Sequence, residues 1–227
     1  MSQKKSALFD EWPEKYDRWF ETPLGRVVKA CELALIMELL EPGPGQFILD
    51  AGCGTGVFTL PILGAGARVV GLDLSLPMLA RAAVKCGPAT FSAVKGDMLR
   101  LPFRDGTFHK TVSITALEFI EDGQAAVGEL FRVTATAGLV VVATLNSESP
   151  RAKQRRREAG RRRTILSHAI FRSPGEMRSL APFPAEVRTA VHFEKDSESC
   201  RAVELEDEGR RRNAETGAFV AVRWKKP

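Results

Sequence analysis

The sequence predicts an open, doubly wound α/β domain. Short apolar runs alternate with helix-spaced segments between residues 47 and 143, and several of those runs are apolar on both faces. A glycine-rich loop directly follows the first run. A parallel sheet covered by helices on both sides requires that patterning.

In order, the chain opens on an aromatic segment, Trp12-Pro13-Glu14-Lys15-Tyr16-Asp17-Arg18-Trp19-Phe20. Val27, Val28, Cys31, Leu35, Ile36, Leu39 and Leu40 then recur at helical spacing, with Arg26, Lys29, Glu32 and Glu38 between them. That is an amphipathic helix, and Pro42-Gly43-Pro44-Gly45 ends it. Phe47–Asp50 reads as a first strand, followed by the glycine loop and a helix from Val57 to Leu63. Arg68–Asp73 is a second strand and Met78–Lys85 its helix. Thr90–Val94 and Thr111–Ile114 are the third and fourth strands. Ala126, Val127, Leu130 and Phe131 form another helix stripe before a fifth strand, Leu139–Ala143. After Pro150 the composition turns basic. Ser173-Pro174-Gly175-Glu176 carries the residues of a capping box. Two late strands are expected near Val187–Phe193 and Ala218–Trp224, and the charged run Glu204–Asn213 between them reads as an exposed hairpin tip. Residues 1–45 are expected to form an N-terminal lid and first helix, and residues 46–227 the core with its C-terminal elaboration, in one domain overall.

Composition narrows the function classes. Of 227 residues, 44% are hydrophobic and 27% charged, which excludes a disordered tail, a fibre and a disulfide-stapled miniprotein. No stretch approaches the roughly 18 apolar residues of a spanning helix, and the opening residues lack the apolar core of a signal peptide. A cytoplasmic location is the expectation. Lys and Arg outnumber Asp and Glu by 33 to 28, a mild excess. Cys31, Cys53, Cys86 and Cys200 are far apart and only three histidines could join them, so free thiols are expected and no metal site.

The chemistry concentrates at three strand ends. Asp50-Ala51-Gly52-Cys53-Gly54-Thr55-Gly56 lies where ligands bind in such sheets. It is G-x-G-x-G, with Val57 in place of the third glycine of a dinucleotide fingerprint. The Asp50 carboxylate disfavours a pyrophosphate and suits a ligand carrying ammonium and sulfonium charge. Asp73, about 20 residues beyond the glycines, stands where an acidic side chain accepts ribose hydroxyls. Asp97 at the third strand end suits an adenine amino group, with Met98 and Leu74 offering apolar faces.

In that order, these residues resemble the class I S-adenosylmethionine-dependent methyltransferases, specifically the UbiE-like, methyltransferase type 11 group. The match runs through Asp50–Gly56, Gly71-Leu72-Asp73-Leu74-Ser75 with Met78-Leu79, and Gly96-Asp97-Met98 with Leu101-Pro102-Phe103, with a weaker stretch from Phe108 to Phe119. The resemblance implies a seven-stranded sheet with an antiparallel last strand. It implies that S-adenosylmethionine or S-adenosylhomocysteine is held by Tyr16, Asp50, Gly52, Cys53, Gly54, Gly56, Asp73, Leu74, Met78, Asp97, Met98 and Thr115. The glycine loop would take the methionine part, and Tyr16 and Trp19 would belong to a lid. An aromatic staple on the first helix is the alternative for those two rings. The chain departs from the family at His109, where Asp is usual, and at Thr134–Gly138, which replaces a Lys-Pro-Gly-Gly turn.

Methyl transfer from a sulfonium needs no metal, and a base only where the acceptor must lose a proton. Glu118, His168 and His192 are the candidates, each expected to be an ordinary surface residue. The catalytic residues therefore stay unassigned. The arginine-rich stretch Arg151–Arg163 suits an anionic acceptor, RNA phosphates or a membrane surface, but lacks interleaved aromatics. A small-molecule acceptor is the first reading. An RNA or protein methyltransferase, or a non-catalytic cofactor-binding protein that docks a partner, are the alternatives.

Overall fold

Every strand of the sheet passes its apolar residues alternately to two helix layers, and that alternation sets the architecture. The computed structural model describes residues 9–158, 165–195 and 197–227. It contains helices α1 (Pro13–Glu21), α2 (Pro23–Leu40), α3 (Thr59–Gly64), α4 (Leu76–Cys86), α5 (Gly123–Val133), α6 (Pro150–Glu158), α7 (Pro174–Arg178) and α8 (Ser199–Arg211). The strands are β1 (Phe47–Ala51), β2 (Arg68–Asp73), β3 (Phe91–Lys95), β4 (Phe108–Ile114), β5 (Thr134–Leu145), β6 (Ala185–Ala190) and β7 (Phe219–Lys225). They form one seven-stranded sheet in the order β3-β2-β1-β4-β5-β7-β6. β7 runs antiparallel to both of its neighbours, and the pairs among β1 to β5 are parallel. The doubly wound class and the antiparallel last strand are both as expected.

On one face, Ile48, Val69, Val141, Ala143, Phe219 and Ala221 pack with Leu35, Ile36, Leu39 and Leu40 of α2, Ile62 of α3 and Ala82 of α4. On the other, Leu49, Val70, Val140, Val142, Val222 and Trp224 meet Ala126, Val127 and Leu130 of α5 and Met177 of α7. The period of two along each strand sorts these residues onto opposite faces.

Helix starts follow local chemistry. Thr22, Ser75 and Asp122 each accept a hydrogen bond from a backbone N–H three residues on, opening α2, α4 and α5. Ser173 and Glu176 form the reciprocal capping box expected of α7. Glu41 closes α2 in the left-handed conformation, just before Pro42.

Several expectations about extent change: β4 starts earlier, at Phe108, and the first late strand, β6, spans Ala185–Ala190 rather than reaching Phe193. β5 begins at Thr134, directly after α5, because Thr134 pairs with Phe108 and its hydroxyl meets that of Thr111 at 3.0 Å. The run Glu204–Asn213 is not a hairpin tip: through Arg211 it belongs to α8. The apolar stripe of α8 is thin, with Ala202 buried and Leu205 packed against the core, and its charged positions pair along the helix as Arg201–Glu204 and Arg212–Glu208. Charge density hid the helical period. Of the basic stretch, Arg161, Arg162 and Arg163 lie outside the described residues, as do the side chains of Arg156, Arg157 and Cys200. Among the described residues, Cys31, Cys53 and Cys86 are free thiols, no cluster fit for a metal occurs, and no helix is long and apolar enough to cross a membrane.

Ile36 is fully buried between α2 and the sheet. Ile36→Ala should therefore cost about 2–5 kcal/mol. A urea titration followed by circular dichroism measures this, and a midpoint unchanged from the parent would mean that α2 is not part of the cooperative core.

Candidate functional site

The site forms where β1, β2, β3 and β4 end along one edge of the sheet. The loop after β1 is tied to the next strand: the N–H groups of Gly52 and Cys53 both donate to the carbonyl of Leu72, at 2.7 and 3.1 Å. Gly52 has φ of +80°, and a Cβ there would lie 2.3 Å from the Ala116 Cβ. Only glycine fits. Gly54, at φ +53°, differs in that a Cβ would meet nothing within 4 Å. Its N–H donates to Asp73 Oδ2 at 2.9 Å, while Ser75 N–H donates to Asp73 Oδ1 at 2.9 Å. Asp73 thus fixes the loop ahead of it and the entry to α4 behind it. Burial pushes its carboxyl upward against those two bonds.

The third wall is the turn after β3. Asp97 accepts from Leu99 N–H at 3.0 Å, an Asx turn that leaves its other oxygen open. Met98 is buried, with its sulfur 3.8 Å from the Ser113 hydroxyl. Arg132 holds the following loop by donating to the carbonyls of Leu101 and Phe103, and Glu129 accepts from Leu101 N–H. The end of β4 supplies Thr115, whose φ of +49° is rare for a β-branched residue. In that conformation Thr115 lines the cavity together with Tyr16.

α1 covers the site. Asp17 anchors it, accepting from the Thr55 hydroxyl at 2.6 Å, Lys85 at 2.9 Å and Arg81 at 3.0 Å. Tyr16 packs edge-on against Phe20, which in turn packs edge-on against Phe58. Of the two rings read either as a lid or as a staple, Tyr16 lines the cavity, and Trp19, 43% exposed, packs edge-on against Phe20. Phe9 meets Phe119 edge-on at 4.8 Å and closes the far side.

These elements enclose a mostly apolar cavity of about 200 Å³. Of the residues singled out from the sequence, Tyr16, Gly52, Gly54, Asp73, Leu74, Met78, Asp97, Met98 and Thr115 line it. Asp50, Cys53 and Gly56 lie behind that wall. Asp50 is buried and accepts from the Thr59 hydroxyl at 2.6 Å. Burial, with Asp73 nearby, pushes its carboxyl up to about 7. Phe9, Leu99 and Ile120 also line the cavity and were not anticipated, and Ala116 and Phe119 join them from the weaker Phe108–Phe119 stretch of the resemblance. Phe9 ends the short apolar run Ala7-Leu8-Phe9, which offers no periodic signal.

Glu118 is not a surface residue. It is buried under the 3₁₀ turn Leu117–Phe119 and accepts from the Thr144 hydroxyl at 3.0 Å. Beside it, the Arg172 guanidinium donates to the carbonyls of Leu117 and Ile120. Burial raises Glu118 to about 7. His168 is exposed, as expected, and His192 is half-buried with its ring toward Thr189. Neither reaches the cavity wall. Arg151 does not reach it either: its guanidinium donates to the carbonyls of Phe193 and Glu194 and lies over the Phe193 ring.

Comparison with known proteins agrees with this geometry. Residues 49–142 match the family model described as Methyltransferase domain. A demethylmenaquinone methyltransferase from Streptomyces avermitilis is 37% identical over 139 residues, 60% of this chain and 58% of that protein. A malonyl-[acyl-carrier protein] O-methyltransferase from Erwinia billingiae is 39% identical over 105 residues, 46% of this chain and 41% of that protein. The chain thus spans less than two thirds of the length of these curated relatives. Among solved structures, a possible histamine N-methyltransferase from Thermotoga maritima superposes with a TM-score of 0.77 at 22% identity, covering 97% of this chain and 99% of that one. A putative methyltransferase from Haloferax volcanii, solved with the Trm112 activator, gives 0.73 at 20% identity, with 96% and 97% covered. At those identities the likeness is one of fold.

The buried carboxyls carry a pH signature. Asp50 and Glu118 are pushed up to about 7 and Glu32 to about 8, burial being the largest cause in each. A carboxyl raised on folding contributes stability that is complete below its unfolded value and lost as the pH climbs through the folded one. Unfolding midpoints should therefore fall between about pH 5 and about pH 9. In Asp50→Asn the amide oxygen still accepts from Thr59, and the variant should gain on the parent as the pH rises. An equal difference between the two proteins at both ends of that range would show that Asp50 ionises normally.

Proposed function

We propose, on the premise of the methyltransferase domain that this chain carries over residues 49–142, that it transfers a methyl group from S-adenosylmethionine to a small-molecule acceptor. The observation that carries this reading is Asp73, fixed by Gly54 and Ser75 at the wall of the cavity, with Asp97 at the next strand end. The donor set fits the cofactor. Each Asp73 oxygen holds one backbone N–H and keeps a lone pair for a ribose hydroxyl. The open oxygen of Asp97 suits an amino donor, between the apolar faces of Leu74, Met78, Met98 and Leu99. Gly54 leaves room for the remaining chain of the ligand.

Bound there, the cofactor supplies an activated methyl on sulfur. The protein's own part is to position and to exclude water. The edge-to-face pair Phe9–Phe119 and the side chains of Tyr16 and Thr115 line the cavity on two sides. α1 stays in place through the ion pairs of Asp17 with Arg81 and Lys85. Glu118, next in sequence to the lining residue Phe119, does not itself line the cavity, and its carboxyl accepts from Thr144. The relatives named above act, by their names, on a demethylmenaquinone and on a malonyl group held by a carrier protein. The small-molecule reading for this chain is supported by those names.

Isothermal calorimetry with S-adenosylhomocysteine tests the reading, and one site per chain is the expected result. Asp73→Ala should weaken that binding by ~1–3 kcal/mol, about 5- to 150-fold. Heat on titrating NADH, with none on titrating S-adenosylhomocysteine, would sink the proposal.

A further inference from the structure

A second cavity, of about 130 Å³, lies farther along the sheet edge that holds the first, where β5 and β6 end and β7 begins. Leu145, Val191 and Ala218 bring those three strand ends to its wall. Ligands of open α/β sheets bind along this edge. α1 borders both cavities, with Tyr16 on the first and Trp19, one helical turn on, at the second. Val28, Leu166 and Phe171 add apolar surface. The charged side chains of the wall are two guanidinium groups, Arg151 and Arg155 of α6, and one carboxyl, Glu32 of α2.

Arg151 and Arg155 stand one turn apart on α6 and share a face. Nε and one terminal nitrogen of Arg151 donate to the carbonyls of Phe193 and Glu194, which fixes the group in place. Its other terminal nitrogen makes no hydrogen bond among the described residues. Arg155 lies at the rim, its guanidinium 5.6 Å from the centre of the Phe171 ring. Glu32 is only 6% exposed, yet among the described residues it makes no hydrogen bond and no ion pair. A buried carboxyl left without a partner is costly, and natural structures rarely tolerate one. The polar groups nearby are already engaged. The Asn146 amide donates to the carbonyls of Glu215 and Gly217, and the Ser149 hydroxyl donates to the Asn146 carbonyl.

Two guanidinium groups against one carboxyl leave the lining net positive whether or not Glu32 carries its proton. We infer that this cavity is a subsite for a carboxylate borne on an apolar body, the carboxylate seated between the two arginines and Glu32. Guanidinium N–H groups and carboxylate oxygens form charge-assisted hydrogen bonds, stronger than those to a neutral group. When protonated, the Glu32 carboxyl is a donor as well, and the anion supplies the acceptor that it lacks. Burial, followed by the Glu118 charge, raises Glu32 to about 8, so at neutral pH it meets an anion as an O–H group and not as a second negative charge. The apolar wall receives the rest of the ligand. An ammonium ligand would face both arginines. In calling this ligand the methyl acceptor, and only there, the inference rests on the methyltransferase reading.

The test uses the full chain at pH 6.5 (about 1.5 units below the Glu32 value) with benzoate as the probe, and benzyl alcohol and benzylammonium as neutral and cationic controls. Binding is followed through the Trp19 indole N–H resonance, assigned with Trp19→Phe. Benzoate should shift that signal saturably and leave the Trp224 indole in place, and both controls should bind at least about ten-fold more weakly. Arg155→Gln, at an exposed position, should keep the fold and weaken benzoate about three-fold. Around Glu32 stand Cys31 on its own helix, Tyr16 of α1, Glu118 of the 3₁₀ turn, Arg151 and Arg155 of α6, and Glu206 of α8. Benzoate affinity should fall as the pH rises through about 8, where Glu32 becomes an anion, and Glu32→Gln, whose amide donates at every pH, should remove that fall. Either control binding as well as benzoate would overturn the inference without any variant. So would an unchanged affinity in Arg155→Gln, a pH dependence that persists in Glu32→Gln, or the absence of a saturable shift. Calorimetry with S-adenosylhomocysteine separates the two readings. A chain that binds benzoate at Trp19 but not S-adenosylhomocysteine keeps this subsite and loses the methyltransferase reading, and the converse result removes the subsite alone.

Discussion

The carbonyl of Leu72 is the point on which the site depends. It accepts from two successive N–H groups of the loop after β1, while the neighbouring Asp73 carboxylate takes the third, from Gly54. Three consecutive amides are thereby fastened to the end of β2. The loop cannot follow its own preferences, and the positive φ values of Gly52 and Gly54 are the cost of that seam. Everything downstream inherits its position: the approach of Ala116 to Gly52, the start of α4 at Ser75, and the distance at which Asp97 faces Asp73 across the cavity mouth.

A second level of order comes from buried polarity. Asp50, Glu118 and Glu32 are all inside the protein, and each is treated differently. Asp50 receives a hydroxyl from Thr59 and stays behind the glycine loop. Glu118 receives a hydroxyl from Thr144 and stands beside Arg172, whose guanidinium caps the carbonyls of the 3₁₀ turn. Glu32 receives nothing from the described residues. The first two are satisfied and serve the geometry of the strand ends. The third faces a cavity that Arg151 and Arg155 also line.

How much of this was legible in the sequence follows from the physics of each signal. Strands flanked by helices announce themselves through apolar runs, and capping residues such as Ser75 and Ser173 act on neighbours three positions away. Local chemistry of that kind survives in the sequence. Asp73 and Asp97 were found because topology places strand ends together, and spacing alone then locates them. Burial of a charged side chain leaves no such trace. Glu118 looks like any surface glutamate until Thr144 and Arg172, distant in sequence, are folded against it. α8 was missed for the opposite reason, since its many charges overwhelmed a stripe as narrow as Ala202 and Leu205. Phe9 acquires meaning only through Phe119, 110 positions away.

The placement of β7 bears on how the protein is made. β7 lies between β5 and β6, although it follows both in sequence. While the chain emerges from the ribosome, β5 and β6 are both complete before the strand that joins them exists. Each then presents an edge of unpaired backbone groups for the time needed to synthesise residues 191–225. Such edges are templates for pairing with other chains. The acidic and basic residues of α8, which is made in that interval, give the nascent segment a highly charged companion. Nascent-chain solubility, rather than the stability of the finished sheet, is where the register of this last insertion is most exposed.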